Sequence, residues 1–390
     1  MYLTGFLHRQ MLFEITNRWL SGRLRQDDPL VITKIITYDS FTAWELLVAY
    51  MDRLLASLSG LPVRRKALTD KKQLKDFICN SMATSSDRVR TMIGKYRKMP
   101  EFYYVDSPFS GYVYFTESNS IIGISRFKRV KRIAEKASRY ASIYLHDLVK
   151  QQGREILEKK TGKQVDENTL IPFEVLMTAE EQVMRRIKQQ GLRLPLQQMA
   201  IKDVLGMKII DTGYRESLLE SAIMAYPGAS ILEKERHTGN YNAVHYVVEL
   251  KADMDYILRR FNESSKYIDC SARGLPKKGM QKDFRKFLET GVETLQIDLI
   301  FTTYEELVES EIGRSMHETR IFQQRRQQAY FGNLPVNVEY IIEYLLAVAL
   351  SPTTSLDDIP IKIWGRYLPD SLSYRIRKLY NMPEYALIAI

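Results

Sequence analysis

A chain of 390 residues is longer than one ordinary core needs and fits one large or two modest domains. Its 45% hydrophobic content supports packed interiors, and 57 Lys+Arg against 47 Asp+Glu leave a formal charge of +10, which favours polyanionic partners such as nucleotides, RNA or acidic membranes without choosing among them. Cys79 and Cys270 are the only cysteines, which excludes a disulfide framework and a structural zinc cluster and points to a reducing, cytoplasmic compartment. The opening "MYLTGFLHRQMLFEITNRWL" lacks the zones of a signal peptide, and no run of about 18 uninterrupted apolar residues occurs, so the expectation is a soluble protein with no membrane partner.

Residues 1–110 are expected to be mostly helical: "FTAWELLVAYMDRLLASL" carries apolar residues at helical spacing, and "TDKKQLKDFICNSM" follows a basic "PVRRK" connector. From Gly111 the alternation of "GYVYFTE", the break "SNS" and the run "IIGIS" predict a hairpin. A long basic helical stretch extends to about residue 200, broken at "TGKQVDENTLIP". Strands are expected at "VLGMKIID", at "AVHYVVEL" and at "LQIDLIF", and helices at "VEYIIEYLLAVAL" and "DSLSYRIRKLY". Strands mixed with helices predict an α+β fold, a mixed sheet flanked by helices. The division is a helical region over 1–110, a central domain over 111–320 with a helical insertion at about 140–200, and a helical region over 321–390.

Just after the hairpin, "SRFKRVKRIAEKASR" holds seven basic residues against one acid, Glu135. Lys128, Arg132 and Lys136 lie four apart and share a helical face, with Arg126 at the strand-to-helix junction. An arbitrary basic run is usually a solvated surface. Two features favour a phosphate site here: the stripe starts at a strand end, and like charges at this spacing destabilise a helix unless an anion compensates.

Carboxylates flank the strands. Asp203 stands at the entry of one and Asp211 at its exit, and either could serve magnesium, which takes one or two protein carboxylates and completes its shell with phosphate and water. Each could equally be turn chemistry. In "GVETLQIDLIF", alternation puts Leu295, Ile297 and Leu299 on one face and Gln296, Asp298 and Ile300 on the other. Glu293 would then point with the leucines, so its use as a metal ligand requires a bulge or bend.

In chain order these pieces resemble the synthetase domain of the RelA/SpoT family, whose fold is nucleotidyltransferase-like. "RFKRVKRIAEK" is similar to the family's R-x-K-x-x-x-S-I-x-x-K through Arg126, Lys128, Ile133 and Lys136, with Arg132 where serine is usual. "DVLGMKII" resembles D-L-L-A-I-R-V-I, with Lys208 at the arginine. "NYNAVH" resembles G-Y-x-S-x-H, and "ETLQIDL" resembles E-x-Q-I-x-T, with Thr294 at the glutamate position and Glu293 one residue early. "EIGRSMH" matches E-x-G-x-x-x-H at Glu311, Gly313 and His317, His317 being more readily a structural residue than a catalytic one.

The resemblance implies transfer of pyrophosphate from ATP to a ribose 3′-hydroxyl of GDP or GTP with Mg2+ as cofactor. Arg126, Lys128, Arg132 and Lys136 would bind the ATP phosphates, and Asp203 and Glu293 the metal. Asn240, Tyr241, His245 and Gln296 would form the acceptor side, with Tyr241 stacking on the base and His245 near the phosphates. On strand geometry Tyr241 and His245 should share a face about 13 Å apart. Two alternatives stand beside this: an enzyme modifying the tRNA 3′ end, favoured by the charge, and a nucleotide-binding regulator without activity, favoured by the departures at Arg132, Lys208 and Glu293. The helical regions leave room for a homo-oligomer.

Overall fold

The computed structural model describes residues 1–390 except 61, 84, 214–215, 240, 265–270, 277, 314–315, 317–318, 320–331 and 383–390. Its centre is a seven-stranded sheet of β2 (Arg64–Asp70), β3 (Pro108–Phe115), β4 (Ile121–Phe127), β6 (Leu205–Asp211), β7 (Ala229–His237), β8 (Ala243–Lys251) and β9 (Thr294–Thr303). The spatial order is β2-β3-β4-β6-β9-β8-β7. All neighbours are antiparallel except β6 and β9, which makes the sheet mixed. Two short strands, β1 (Tyr2–Leu3) and β5 (Ala200–Ile201), pair in parallel beside it.

One face of the sheet carries Met207, Ile209, Tyr246, Val248, Leu295, Ile297 and Leu299, all buried beneath α3 (Ser40–Ser59), α8 (Glu216–Ala225), α9 (Met254–Glu263) and α10 (Met280–Leu288). Helix α3 continues α2 (Asp28–Lys34) through a π turn at Ile35–Asp39 and ends at Gly60, whose φ of 61° suits the left-handed cap that glycine adopts without strain. The π turn is anchored: Asp39 accepts from the His8 backbone N and ring Nδ1, both at 2.8 Å.

The opposite face is covered at its β3–β4–β6 end. There α4 (Lys71–Cys79), α5 (Asp87–Lys98) and α11 (Tyr304–Glu311) pack on Val113, Ile124 and Ile210. Asp70 and Ser86 cap α4 and α5 by accepting from Gln73 and Val89, each satisfying an amide that the first helical turn leaves free.

A third layer is helical. α6 (Val130–Thr161) and α7 (Phe173–Gln190) form a hairpin whose turn spans the predicted break, and they pack with α1 (Arg9–Leu20), α12 (Asn333–Leu350) and α13 (Pro369–Leu379). Among the described residues α12 is the one helix long and apolar enough to cross a membrane; 56% of it is buried inside the fold, where it lies against α6, α2 and α1.

The predicted hairpin and the three predicted strands are present, and so are the helices at 41–58, 71–79 and the two in the C-terminal region. The architecture is α+β with a mixed sheet flanked by helices. Two expectations change. The "PVRRK" connector opens the edge strand β2, so residues 1–110 are not only a helical lead-in, and β7 is a strand that the sequence pattern does not announce.

Candidate functional site

The second face, beside and beneath α4 and α11, carries the charged residues. Register places them in rows across the sheet: Arg126 pairs with Gly206, and Gly206 with Asp298; in the next row Ile124 pairs with Lys208, Lys208 with Ile300, and Ile300 with His245. Successive rows are about 7 Å apart along the strands. A small cleft lined by Leu74, Phe109, Ile124, Arg126, Gly206, Met207, Lys208, Ile300 and Glu311 lies over the β4–β6 part of these rows.

At one end of this strip stands Asp203, on the turn that enters β6. Lys128 bonds its Oδ2, and Lys136 Nζ lies 2.9 Å from its Oδ1. Lys128 sits on the extended link between β4 and α6, where its backbone N donates to the Val204 carbonyl at 2.8 Å; Lys136 comes from the second turn of α6. Burial alone would raise the Asp203 carboxyl, but the two ammonium groups outweigh it and hold the group well below the usual carboxylate range. Burial, with Arg126 and Lys136 nearby, lowers Lys128 to about 8 despite its Asp203 partner.

Asp298 is the second carboxylate of this end. It projects from the middle of β9 onto the same face, and its charged neighbours are Arg126, Asp203, Lys128 and Lys136. Burial raises its carboxyl above the usual value, with Asp203 adding to the rise and Arg126 opposing it. Arg126 approaches by lying across Gly206: a Cβ there would come within 2.8 Å of the Arg126 Nε.

In the middle of the strip, Lys208 Nζ contacts Ser310 Oγ at 3.2 Å and Glu311 Oε1 at 3.7 Å. Glu311 also receives Lys71 Nζ at 2.7 Å, and Lys75, fully buried, bonds the Glu311 carbonyl. Burial would raise Glu311; Lys71, Lys208 and Lys75 instead hold it well below the carboxylate range.

The far end is aromatic. His245 stacks edge-on to His237 with ring centroids 4.4 Å apart and to Tyr241 at 6.3 Å. Its buried Nε2 has no hydrogen-bond partner among the described residues. Burial, reinforced by His237, Lys208 and Arg126, lowers the imidazole to about 4. The turn that brings Tyr241 here is pinned by Asn242, whose side chain accepts from Gly239 N at 3.1 Å and donates to Glu306 Oε1 at 2.7 Å.

Arg126, Lys128, Lys136, Asp203, Tyr241 and His245 thus lie along one face. Gln296 is on that face too, two residues before Asp298 on β9. Others do not join it. Arg132 turns to Glu135 at 2.8 Å, although it lies one helical turn before Lys136 on α6. Glu293 precedes β9, is exposed, and pairs with Lys251 at 2.9 Å. Tyr241 is nearer to His245 than strand spacing allows, because β8 starts at Ala243 and Tyr241 belongs to the turn. Asp211 caps its own turn, accepting from Gly213 N at 2.8 Å. Asn240 and His317 lie outside the described residues. Sequence reasoning missed Asp298 as a site group, although alternation put it on the face opposite the leucines.

Among the described residues no three His, Cys, Asp or Glu side chains gather as a metal cage. The donor set of Asp203 and Asp298 nevertheless fits magnesium, which takes one or two hard carboxylates from protein and the remaining oxygens from phosphate and water. No family model, curated protein or solved structure matches the chain.

Proposed function

We propose that the chain is a RelA/SpoT-like synthetase on a nucleotidyltransferase-like core, transferring pyrophosphate from ATP to the ribose 3′-hydroxyl of a guanine nucleotide in the cytoplasm. The observation that carries this reading is the convergence of Arg126, Lys128 and Lys136 on Asp203 and Asp298, with Lys208 one row further along the same sheet face. Cations exceed carboxylates there, which suits a polyphosphate, and two neighbouring carboxylates suit the cation that accompanies it.

Transfer of this kind asks the protein to position donor and acceptor in line and to neutralise charge on the phosphates. Arg126 and Lys208, which line the cleft, and Lys128 and Lys136 at its end would receive the donor's phosphate oxygens. Mg2+, held by Asp203 and Asp298, would add charge neutralisation on those oxygens. The acceptor 3′-oxygen attacks the β-phosphorus, the bond from that phosphorus to the α,β-bridging oxygen breaks, and AMP leaves with the electron pair. The hydroxyl proton passes to a carboxylate oxygen of Asp298, which projects from β9 on the same face as the acceptor-side Gln296 and His245. His245 is neutral near pH 7, so it offers a hydrogen bond and no positive charge. The Tyr241 ring beside it supplies an aromatic surface for the acceptor's base.

The formal charge of +10 favours a second reading, in which the acceptor is the 3′ end of a tRNA. Incubation with γ-labelled ATP, Mg2+ and either GDP/GTP or deacylated tRNA separates the two. Label in the guanine nucleotide is expected, and label in tRNA alone selects the second reading. No transfer to either, with ATP binding intact, leaves a nucleotide-binding regulator.

A further inference from the structure

Both carboxylate oxygens of Asp203 are occupied by ammonium groups, Oδ2 by Lys128 and Oδ1 by Lys136. The three side chains are half-buried, with relative exposures of 17%, 24% and 32% for Lys128, Asp203 and Lys136, so solvent screens them only partly. Asp298 has Arg126 as its strongest cationic influence, which opposes but does not overcome the effect of burial. A divalent cation arriving alone would have to displace two ammonium groups that remain tethered within a few ångströms, and their repulsion opposes it. A polyphosphate meets the opposite situation, since its oxygens can take over both lysines and leave the carboxylate free.

We propose that Lys128 and Lys136 gate the divalent-cation site, so that the cation binds Asp203 only together with a polyphosphate that draws the two ammonium groups away. This rests on reading the face as a polyphosphate-transfer centre. Lysine suits the part, because its point charge rides on a flexible stem and can leave one anion for another, whereas a forked arginine would stay engaged. The backbone tie of Lys128 to Val204 and the rigid turn of α6 under Lys136 fix where the stems start, so both reach the same short arc of space. Binding of the two ligands is therefore reciprocal: the factor by which polyphosphate tightens the cation equals the factor by which the cation tightens polyphosphate.

Two titrations test the gate without any turnover. In the first, free Mn2+ is followed by electron paramagnetic resonance against wild type and the double variant Lys128→Gln, Lys136→Gln, with no nucleotide present. The variant is expected to bind Mn2+ at least about tenfold more tightly, and the gain should vanish when Asp203→Asn is added. Equal binding by wild type and variant overturns the gate. The second uses wild type alone, so it stands even if the variant does not fold: calorimetry with an ATP analogue bearing methylene at the α,β bridge, in EDTA and then in Mg2+. Saturable binding in EDTA, tightened by Mg2+, is expected; equal affinity in EDTA and in Mg2+ shows that the two ligands are not coupled and overturns it. Failed label transfer with the gate intact removes the proposed reaction alone, and transfer with wild-type Mn2+ affinity equal to the variant's removes the gate alone.

Discussion

Gly206 has an effect through the side chain it lacks. Arg126 crosses β6 over it, and an added Cβ would press on the guanidinium stem and not on backbone. Gly206→Ala should therefore fold normally but lose about tenfold in affinity for the ATP analogue, about 1.4 kcal/mol, by moving a charge-assisted donor. Asp298→Asn should lower transfer at least about 100-fold, whereas Glu293→Gln should stay within about twofold of wild type, because that carboxylate is exposed and paired with Lys251. Steady-state kinetics with both variants checks this, and the reverse pattern would restore Glu293 to the centre. His245 makes a pH prediction. Its folded pKa of about 4 lies below the value of about 6.5 expected when unfolded, so between these the unfolded chain binds more protons. This group's contribution to stability is thus retained above about pH 6.5 and lost as pH falls toward about 4. Urea unfolding at pH 7.5 and pH 5 should show a loss from this group of at most about 2 kcal/mol, reduced by solvent screening, which His245→Gln should abolish.

Helix α11 closes the covered end of the sheet through its last residue. Glu311 answers Lys71, Lys75 and Lys208 from two other elements, so Glu311→Gln would leave buried ammonium groups without their counter-charge. A loss of about 3–5 kcal/mol is expected, read as a lower urea midpoint with an unchanged slope. Elements differ in how openly the sequence shows them. Strands β8 and β9 are legible because buried aliphatics alternate with a second face, and β6 because it is a short, almost continuous apolar run. The edge strands are not: β2 buries only Leu68, and β7 buries no residue, so neither has an apolar period to detect. The same contrast holds at the site. Arg126, Lys128 and Asp203 stand at local junctions that spacing can suggest, while the partnership of Asp298 depends on the parallel register between β6 and β9, which joins parts of the chain far apart. Arg132 misled because a shared helical face does not decide which anion a long side chain meets, and Glu135, three residues on, takes this one.

At the scale of the molecule, three clusters of buried side chains hold the layers together, and the helical one draws on both ends of the described chain: Trp19 of α1 and Tyr344 of α12 lie with ring centroids 6.3 Å apart. Trp19→Ala should cost about 3–5 kcal/mol, measured by urea unfolding, because the indole is fully buried and its Nε1 donates to Asp28 at 3.0 Å. The sheet has a further property with a bearing on synthesis. Its last strand in sequence, β9, is not at an edge but lies between β6 and β8. A ribosome that has released only the first 290 or so residues therefore presents two incomplete half-sheets, each with an unpaired backbone edge and with Met207, Ile209, Tyr246 and Val248 uncapped by their central neighbour. Nascent chains of this protein should for that interval be clients of holding chaperones, and release comes with the arrival of one ten-residue strand.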